Sequence, residues 1–100
     1  MKVVWSATAL RDFDRLIAYI AARNPDAAAR IAALIDRTAR ELGALQTGRH
    51  GRVAGTYEKI VSALPYVMAY AIAPSPAADG VVILRIIHGA RNWPPGQWPR

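Results

Sequence analysis

The chain has no cysteine among its 100 residues, which excludes disulfides and thiolate metal sites and suits a reducing compartment such as the cytoplasm. Acidic residues are scarce, seven Asp and Glu against thirteen Lys and Arg, for a net charge of +6 and a pI near 10.5. Acidic surfaces are therefore the natural partners: nucleic acid, anionic lipid or an acidic protein segment. Charge is missing altogether between Ile60 and Ala78, a stretch of the length that a membrane span needs, but Pro65, Pro74 and Pro76 and an internal two-residue alternation assign it to sheet instead. No secretory leader is expected, because the first apolar stretch meets Arg11 and Asp12 soon after Leu10. Also missing are a phosphate-binding loop ending in Lys-Ser/Thr, H-E-x-x-H, G-x-S-x-G and a dinucleotide fingerprint. His50 and His88 are far apart, so neither a metal site nor a cofactor is expected.

At 53% hydrophobic and 20% charged residues, the chain has the composition of one small globular domain. Lys2 to Trp5 read as a first strand, after which Ser6 or Thr8 can cap a helix whose buried stripe is Leu10, Phe13, Ile17 and Ile20. Arg11, Asp12, Asp14 and Arg15 fall mostly off that stripe, on a wet face. Asn24-Pro25-Asp26 ends one helix and starts another, combining a capping side chain, a proline suited to the first helical position and an acid near the positive helix end. Ala28, Ile31, Ile35, Ala39 and Leu42 mark the inner face of the second helix, which Gly43 weakens.

Residues 48–52 read as a flexible basic loop and Val53-Ala54 as a short strand. Alternation from Tyr57 to Leu64 follows, then a strand with Tyr66, Met68, Tyr70 and Ile72 on one side. A third run, Val81 to His88, places Val82, Leu84 and Ile86 on one face and Val81, Ile83, Arg85 and Ile87 on the other; apolar on both faces, it is the expected central strand. The fold class is thus α+β: an N-terminal strand, then an αα-hairpin packed on one face of a mainly antiparallel sheet of three to four strands.

The side chains of chemical interest are Arg49, Arg52, Arg85, His88 and Arg91, interleaved with Tyr57, Tyr66, Tyr70 and Trp93. Such a mixture grips phosphates and stacks bases, or grips an acidic peptide; equally, tyrosines bury rings and arginines solvate a surface. Arg85 stands out, since a charge on an apolar strand needs a partner or water. Trp93 suits a core edge and Trp98 a partner anchor.

Several segments, in order, resemble the ParE/RelE superfamily of bacterial toxins: Asn24-Pro25-x-Ala-Ala, Gly48-Arg49-x-Gly51-Arg52-Val53-x-Gly55-Thr56, Pro65-Tyr66-Val67, and the run from Ile83 through His88-Gly89-Ala90-Arg91 to Trp93-Pro94. The resemblance implies one toxin domain over 1–94 with a Pro-rich tail over 95–100. It implies the toxin of a type II toxin-antitoxin system, with roles in growth inhibition and plasmid stabilization, neutralised by a cognate antitoxin through an acidic or amphipathic C-terminal segment. RelE-like members cut messenger RNA on the ribosome with a Lys/Arg cluster on the open sheet face; ParE-like members bind DNA gyrase and lack that cluster.

This sequence has Glu58 and Ile60 where the nuclease branch places basic residues, Val67 directly after Tyr66, and Trp93 in place of a late tyrosine. These replacements remove positive groups that phosphodiester cleavage would aim at the developing charge. The expectation is a cytoplasmic, gyrase-binding toxin with no catalytic residues. Arg49, Arg52, Tyr57, Arg85, Arg91, Trp93 and Trp98 are its candidates for target or antitoxin contact. The alternative is a ribosome-dependent endoribonuclease using Arg85, His88 and Arg91.

Overall fold

The computed structural model describes residues 1–61, 64–72 and 80–88. The elements run β1 (Lys2–Trp5), α1 (Ala7–Ala21), α2 (Pro25–Ala44), β2 (Arg49–His50), β3 (Tyr57–Ile60), β4 (Tyr66–Ile72) and β5 (Gly80–His88). Local chemistry sets the helix boundaries. The Ser6 side chain accepts from the Ala9 amide at 3.0 Å and the Asn24 carboxamide from the Ala27 amide at 3.1 Å, so each pairs a donor that the first turn would leave orphaned. Pro25 occupies the first turn of α2, where no amide is needed. Gly43 does not stop α2, which runs on to Ala44; a Cβ there would lie 2.7 Å from the Met1 carbonyl oxygen, so glycine is what lets β1 pass so close.

The sheet has five strands in the order β1-β5-β4-β3-β2, all antiparallel except for the parallel pair β1 and β5. The expected architecture is present with one strand more than foreseen: Arg49–His50 pairs with Tyr57 and Glu58, while Val53-Ala54 forms a turn, not a strand. β5 is internal, but β4 holds the middle position.

The helical hairpin covers one sheet face. Its core joins Ala9, Ile35, Ala39 and Leu42 to Met68, Tyr70, Val81, Ile83 and Ile86, with Trp5 and Phe13 in edge-to-face contact at 5.6 Å. Each fully buried large aliphatic such as Ile35 stabilises by about 1.5–3 kcal/mol relative to exposure. Leu10, expected on the buried stripe, is 48% exposed; Ala9 takes the inward position, so the helix sits rotated from the reading of its larger side chains.

The alternation expected along β5 is broken. Ala69 pairs with Arg85 and Tyr70 with Ile83, so β5 carries an extra residue and forms a bulge. Ile86 therefore joins Val81 and Ile83 under the helices, whereas Ile87 packs on the opposite face with Val67, Ala69 and Val53.

Candidate functional site

The bulge positions Arg85. Its guanidinium turns toward α1, where Asp12 accepts from Nε at 2.8 Å and from Nη2 at 3.1 Å. The same carboxylate accepts the Ile86 backbone amide at 3.0 Å, beside the bulge. Ser6 completes the arrangement: its hydroxyl donates to the Leu84 carbonyl at 3.1 Å and its amide to the Ile83 carbonyl at 2.9 Å. Arg85 and Asp12 are mostly buried, at 16% and 12% exposure. A pair so placed fixes α1 to the irregular stretch of β5, and it answers the need for a partner that the sequence raised at Arg85. The wet-face assignment of Asp12 is corrected.

Between α1 and the ends of β4 and β5 lies a groove of about 600 Å³. It is lined by Asp12, Arg15, Leu16 and Tyr19 of α1 and by Tyr66, Arg85, Ile86, Ile87 and His88 of the strands. Tyr66 and His88 are register partners whose rings meet edge to face at 5.9 Å. Just past the end of α1, the Arg23 guanidinium stacks 3.9 Å above the centre of the Tyr19 ring.

Arg49 and Arg52 lie elsewhere, at the far side of the sheet, and both meet Glu58. The Glu58 carboxylate is 3% exposed and accepts from the Arg52 amide at 2.8 Å, Arg52 Nε at 2.9 Å, Arg52 Nη2 at 3.1 Å and Arg49 Nη2 at 3.5 Å. Burial pushes its pKa up, but the bonds and charge of Arg52, helped by Arg49, more than reverse this and hold it below the usual 4.5. The turn 51–56 that carries Arg52 is braced by Gly51 to Thr56 and Thr56 to Val53 hydrogen bonds. It lays Val53 on Val67, Ala69 and Ile87, covering part of the sheet face that the helices leave open.

Tyr57 points to the other side from Glu58, as strand alternation requires, and stacks between His50 at 5.4 Å and Tyr70 at 5.5 Å. Tyr70 is buried and its hydroxyl donates to the Thr47 carbonyl at 2.6 Å, which ties β4 to the segment after α2. Burial, together with Tyr57, raises the Tyr70 pKa above its usual 10.0. The candidates thus divide among three places: Arg85 and His88 at the α1 groove, Arg49 and Arg52 on Glu58, and Tyr57 in the aromatic stack. Arg91, Trp93 and Trp98 lie outside the described residues. Asp12, Arg15 and Tyr19 were not singled out by the sequence; for Asp12 the available signal was an acid on the helix that must cover a strand bearing a lone arginine.

The ParE toxin model, for toxins of the parDE type II toxin-antitoxin system, matches residues 3–93. The chain belongs to the ParE toxin family. It is therefore a type II toxin of the ParE/RelE superfamily. A curated relative, "Putative toxin Y4kP" of Sinorhizobium fredii, is 35% identical over 94 residues, covering 93% of each chain. Among solved structures, that of the chromosomal ParDE system from P. aeruginosa superposes with a TM-score of 0.76 at 22% identity, over 88% of this chain and 95% of the other. A YoeB/ParE toxin from Agrobacterium tumefaciens gives 0.60 at 17%, over 88% and 98%. The RelBE2 toxin-antitoxin complex from Mycobacterium tuberculosis gives 0.51 at 24%, over 87% and 95%. At these identities the structures establish the shared fold. Among the described residues of this ParE-family toxin, no helix is long and apolar enough to cross a membrane.

Proposed function

We propose that this ParE-family toxin acts by binding and not by cutting, that its target is DNA gyrase in the cytoplasm, and that a cognate antitoxin with an acidic or amphipathic C-terminal segment neutralises it. The observation that carries this reading is Glu58. On the face where RelE-like toxins are expected to gather cations, the described residues include a buried carboxylate saturated by Arg52 and Arg49, with Ile60, Val67 and the packed Val53 beside it. A carboxylate and three apolar side chains do not stabilise the negative charge that builds on a phosphorane-like transition state. Arg85, the strand arginine that a nuclease reading would recruit, turns to the helix side and is held by Asp12. The antitoxin partner is supported by family membership and by the RelBE2 relative, whose solved form is a toxin-antitoxin complex. Of the contact candidates, Arg91, Trp93 and Trp98 belong to the proposal alongside Arg49, Arg52, Tyr57 and Arg85.

Two assays on the purified protein test this. The expected result is loss of gyrase supercoiling as toxin is titrated, with messenger RNA left intact in a translation extract. Unchanged supercoiling at saturating toxin, or codon-positioned cleavage abolished by Arg85→Ala in a variant that still folds, would replace this reading by the ribosome-dependent nuclease.

A further inference from the structure

We infer that the chain associates with a second copy of itself through the free edge of β1, in an antiparallel two-fold pair that joins the two sheets into one. This goes beyond the gyrase reading above and does not depend on it.

The two edges of the sheet differ in kind. One is β2, only two polar residues long, Arg49–His50; a short, charged edge of that sort discourages pairing. The other is β1, whose Val3, Val4 and Trp5 are β-branched or aromatic and whose outer side no strand pairs among the described residues. Lys2 guards only its start. Exposed apolar side chains gather at the same edge: Met1 at 50%, Val4 at 47% and Leu10 at 48% are three of the six large hydrophobics that stand exposed among the described residues. Beside them Trp5, Leu10 and Phe13, with Asp36, line a depression of about 170 Å³.

Hydrogen bonding selects the register. Along a strand, the backbone groups of successive residues face alternate neighbours. The Ser6 amide bonds to the Ile83 carbonyl, so Val4 and Lys2 also direct their groups to β5, and Val3 and Trp5 direct theirs outward. With Val4 opposite Val4 on the two-fold axis, Val3 of one copy meets Trp5 of the other, and each such pair exchanges both N–H···O bonds. With Val3 on the axis, Trp5 would fall opposite Met1, outside the strand. The Val4-centred register therefore pairs both outward-facing residues of β1. It also brings the exposed Val4 side chains together on the open face, and sets Val3 of each copy over Trp5 of the other beside the depression.

Charge complementarity points to the same occupant. A chain of net charge +6 repels its own copy over most of its surface. At the β1 edge both signs are present: Lys2, and Asp36 at the depression bridged to Arg40 at 3.0 Å, a pair that a two-fold axis matches against its own image. The β2 edge offers Arg49 and His50 instead. The interface is small, which places the dissociation constant at roughly 10–100 µM.

The chain has no cysteine, so single substitutions in the full chain report the register directly. Val4→Cys sets its two thiols at a non-hydrogen-bonded position with Cα atoms about 4.5 Å apart, within disulfide range. Lys2→Cys, on the same face of the same strand, leaves them about 13 Å apart and out of range. Under mild oxidation the Val4→Cys chain should cross-link at least about tenfold faster than the Lys2→Cys chain. In sedimentation equilibrium the unsubstituted chain should rise from 10.9 kDa toward twice that mass between about 5 and 500 µM. Over the same range the Val3 and Trp5 amides should gain protection from hydrogen exchange, while the Val4 amide, directed to β5, should not change. Val4→Lys puts two ammonium groups on the axis and should hold the mass at 10.9 kDa with an unaltered circular dichroism spectrum. A mass fixed at 10.9 kDa throughout, equal cross-linking by the two cysteine variants, protection gained at other strands instead of β1, or a dimer that survives Val4→Lys would overturn the inference.

Discussion

Replacing Asp12 with alanine removes the acceptor of three hydrogen bonds at once, two from the Arg85 guanidinium and one from the Ile86 amide. Each bond to a charged group contributes roughly 1.5–3 kcal/mol. Breaking a mostly buried ion pair by deleting one partner costs about 3–5 kcal/mol, because the surviving charge is left uncompensated. The three bonds share one carboxylate and do not add independently, so the ion-pair figure is the one to expect: a loss of about 3–5 kcal/mol for Asp12→Ala, a large share of the roughly 5–15 kcal/mol by which a domain of this kind is typically stable. Asp12→Asn keeps the shape and one carbonyl acceptor, so its loss should be smaller, about 2–3 kcal/mol. Asp12→Ala with Arg85→Met should recover much of the alanine deficit, since the guanidinium that lost Asp12 is gone and an apolar chain fills its place. Urea unfolding followed by circular dichroism gives all three values from the midpoints and slopes. An Asp12→Ala loss below about 1 kcal/mol, or a double variant no more stable than the single one, would refute the claim that Arg85 is a structural arginine needing this partner.

Glu58→Gln should cost about 1–3 kcal/mol at neutral pH through weakened bonds to Arg52 and Arg49. Because the folded pKa of Glu58 lies below 4.5, its stabilisation is fully present above that pH and is lost as pH falls through the folded value. The Gln variant should therefore show a flatter acid limb in urea midpoints measured from pH 6 to pH 2.5. Gly43→Ala should destabilise, although alanine is the better helix former by about 1 kcal/mol, since the new Cβ would meet the Met1 carbonyl oxygen at 2.7 Å; a rise in melting temperature would contradict the close approach of β1. Tyr70→Phe should lose about 1 kcal/mol with the bond to Thr47. The raised Tyr70 pKa means that wild-type stability is intact below pH 10 and falls as pH rises beyond it, a dependence that the Phe variant should reduce.

Elements fixed by short-range chemistry were legible in the sequence. Ser6, Asn24 and Pro25 mark helix starts through bonds spanning three residues, and the inward sets Ala28, Ile35, Ala39, Leu42 and Tyr66, Met68, Tyr70 follow directly from helix and strand periods. Glu58 and Lys59 fall on opposite faces as alternation requires, with Glu58 opposite Ala69 and Lys59 opposite Met68. What could not be read depends on residues far apart in sequence. The bulge in β5 is stabilised by Ser6 and Asp12, which lie 78 and 74 residues away from the backbone groups that they pair, and nothing in Leu84-Arg85-Ile86 itself interrupts the alternation. One inserted residue then moved Ile86 to the opposite face and gave Arg85 its partner. The strand at Arg49–His50 escaped for a related reason: two polar residues carry no period, and their pairing depends on β3. Glu58 was seen as a departure from a basic cluster, whereas its burial between two arginines required the turn 51–56 to fold back over it.

The internal pairings also decide where the net charge of +6 acts. Arg85 is matched by Asp12, Arg49 and Arg52 share Glu58, and Arg40 is bridged to Asp36 on the surface of α2 at 3.0 Å. These pairs engage four cations; Lys2, Arg30, Arg37 and Lys59 are spread over other elements, and at α1 Arg11 and Arg15, with Arg23 just past the helix end, face Asp14 as the one acid besides Asp12. An acidic partner that reaches α1 therefore meets Arg15 with no internal ion pair to break, whereas Arg49 and Arg52 at the open sheet face are already engaged by Glu58. Steering of this kind has a consequence in rate. Association with an acidic peptide should slow steeply between about 50 and 300 mM salt in the wild type, and less steeply in Arg15→Gln, while Arg49→Gln should leave the salt slope close to wild type. Stopped-flow measurements with a Glu-rich peptide read these slopes directly. Equal flattening by the two substitutions would mean that the positive field is spread over both faces, and the division of the molecule into a spent face and a recruiting face would have to be abandoned.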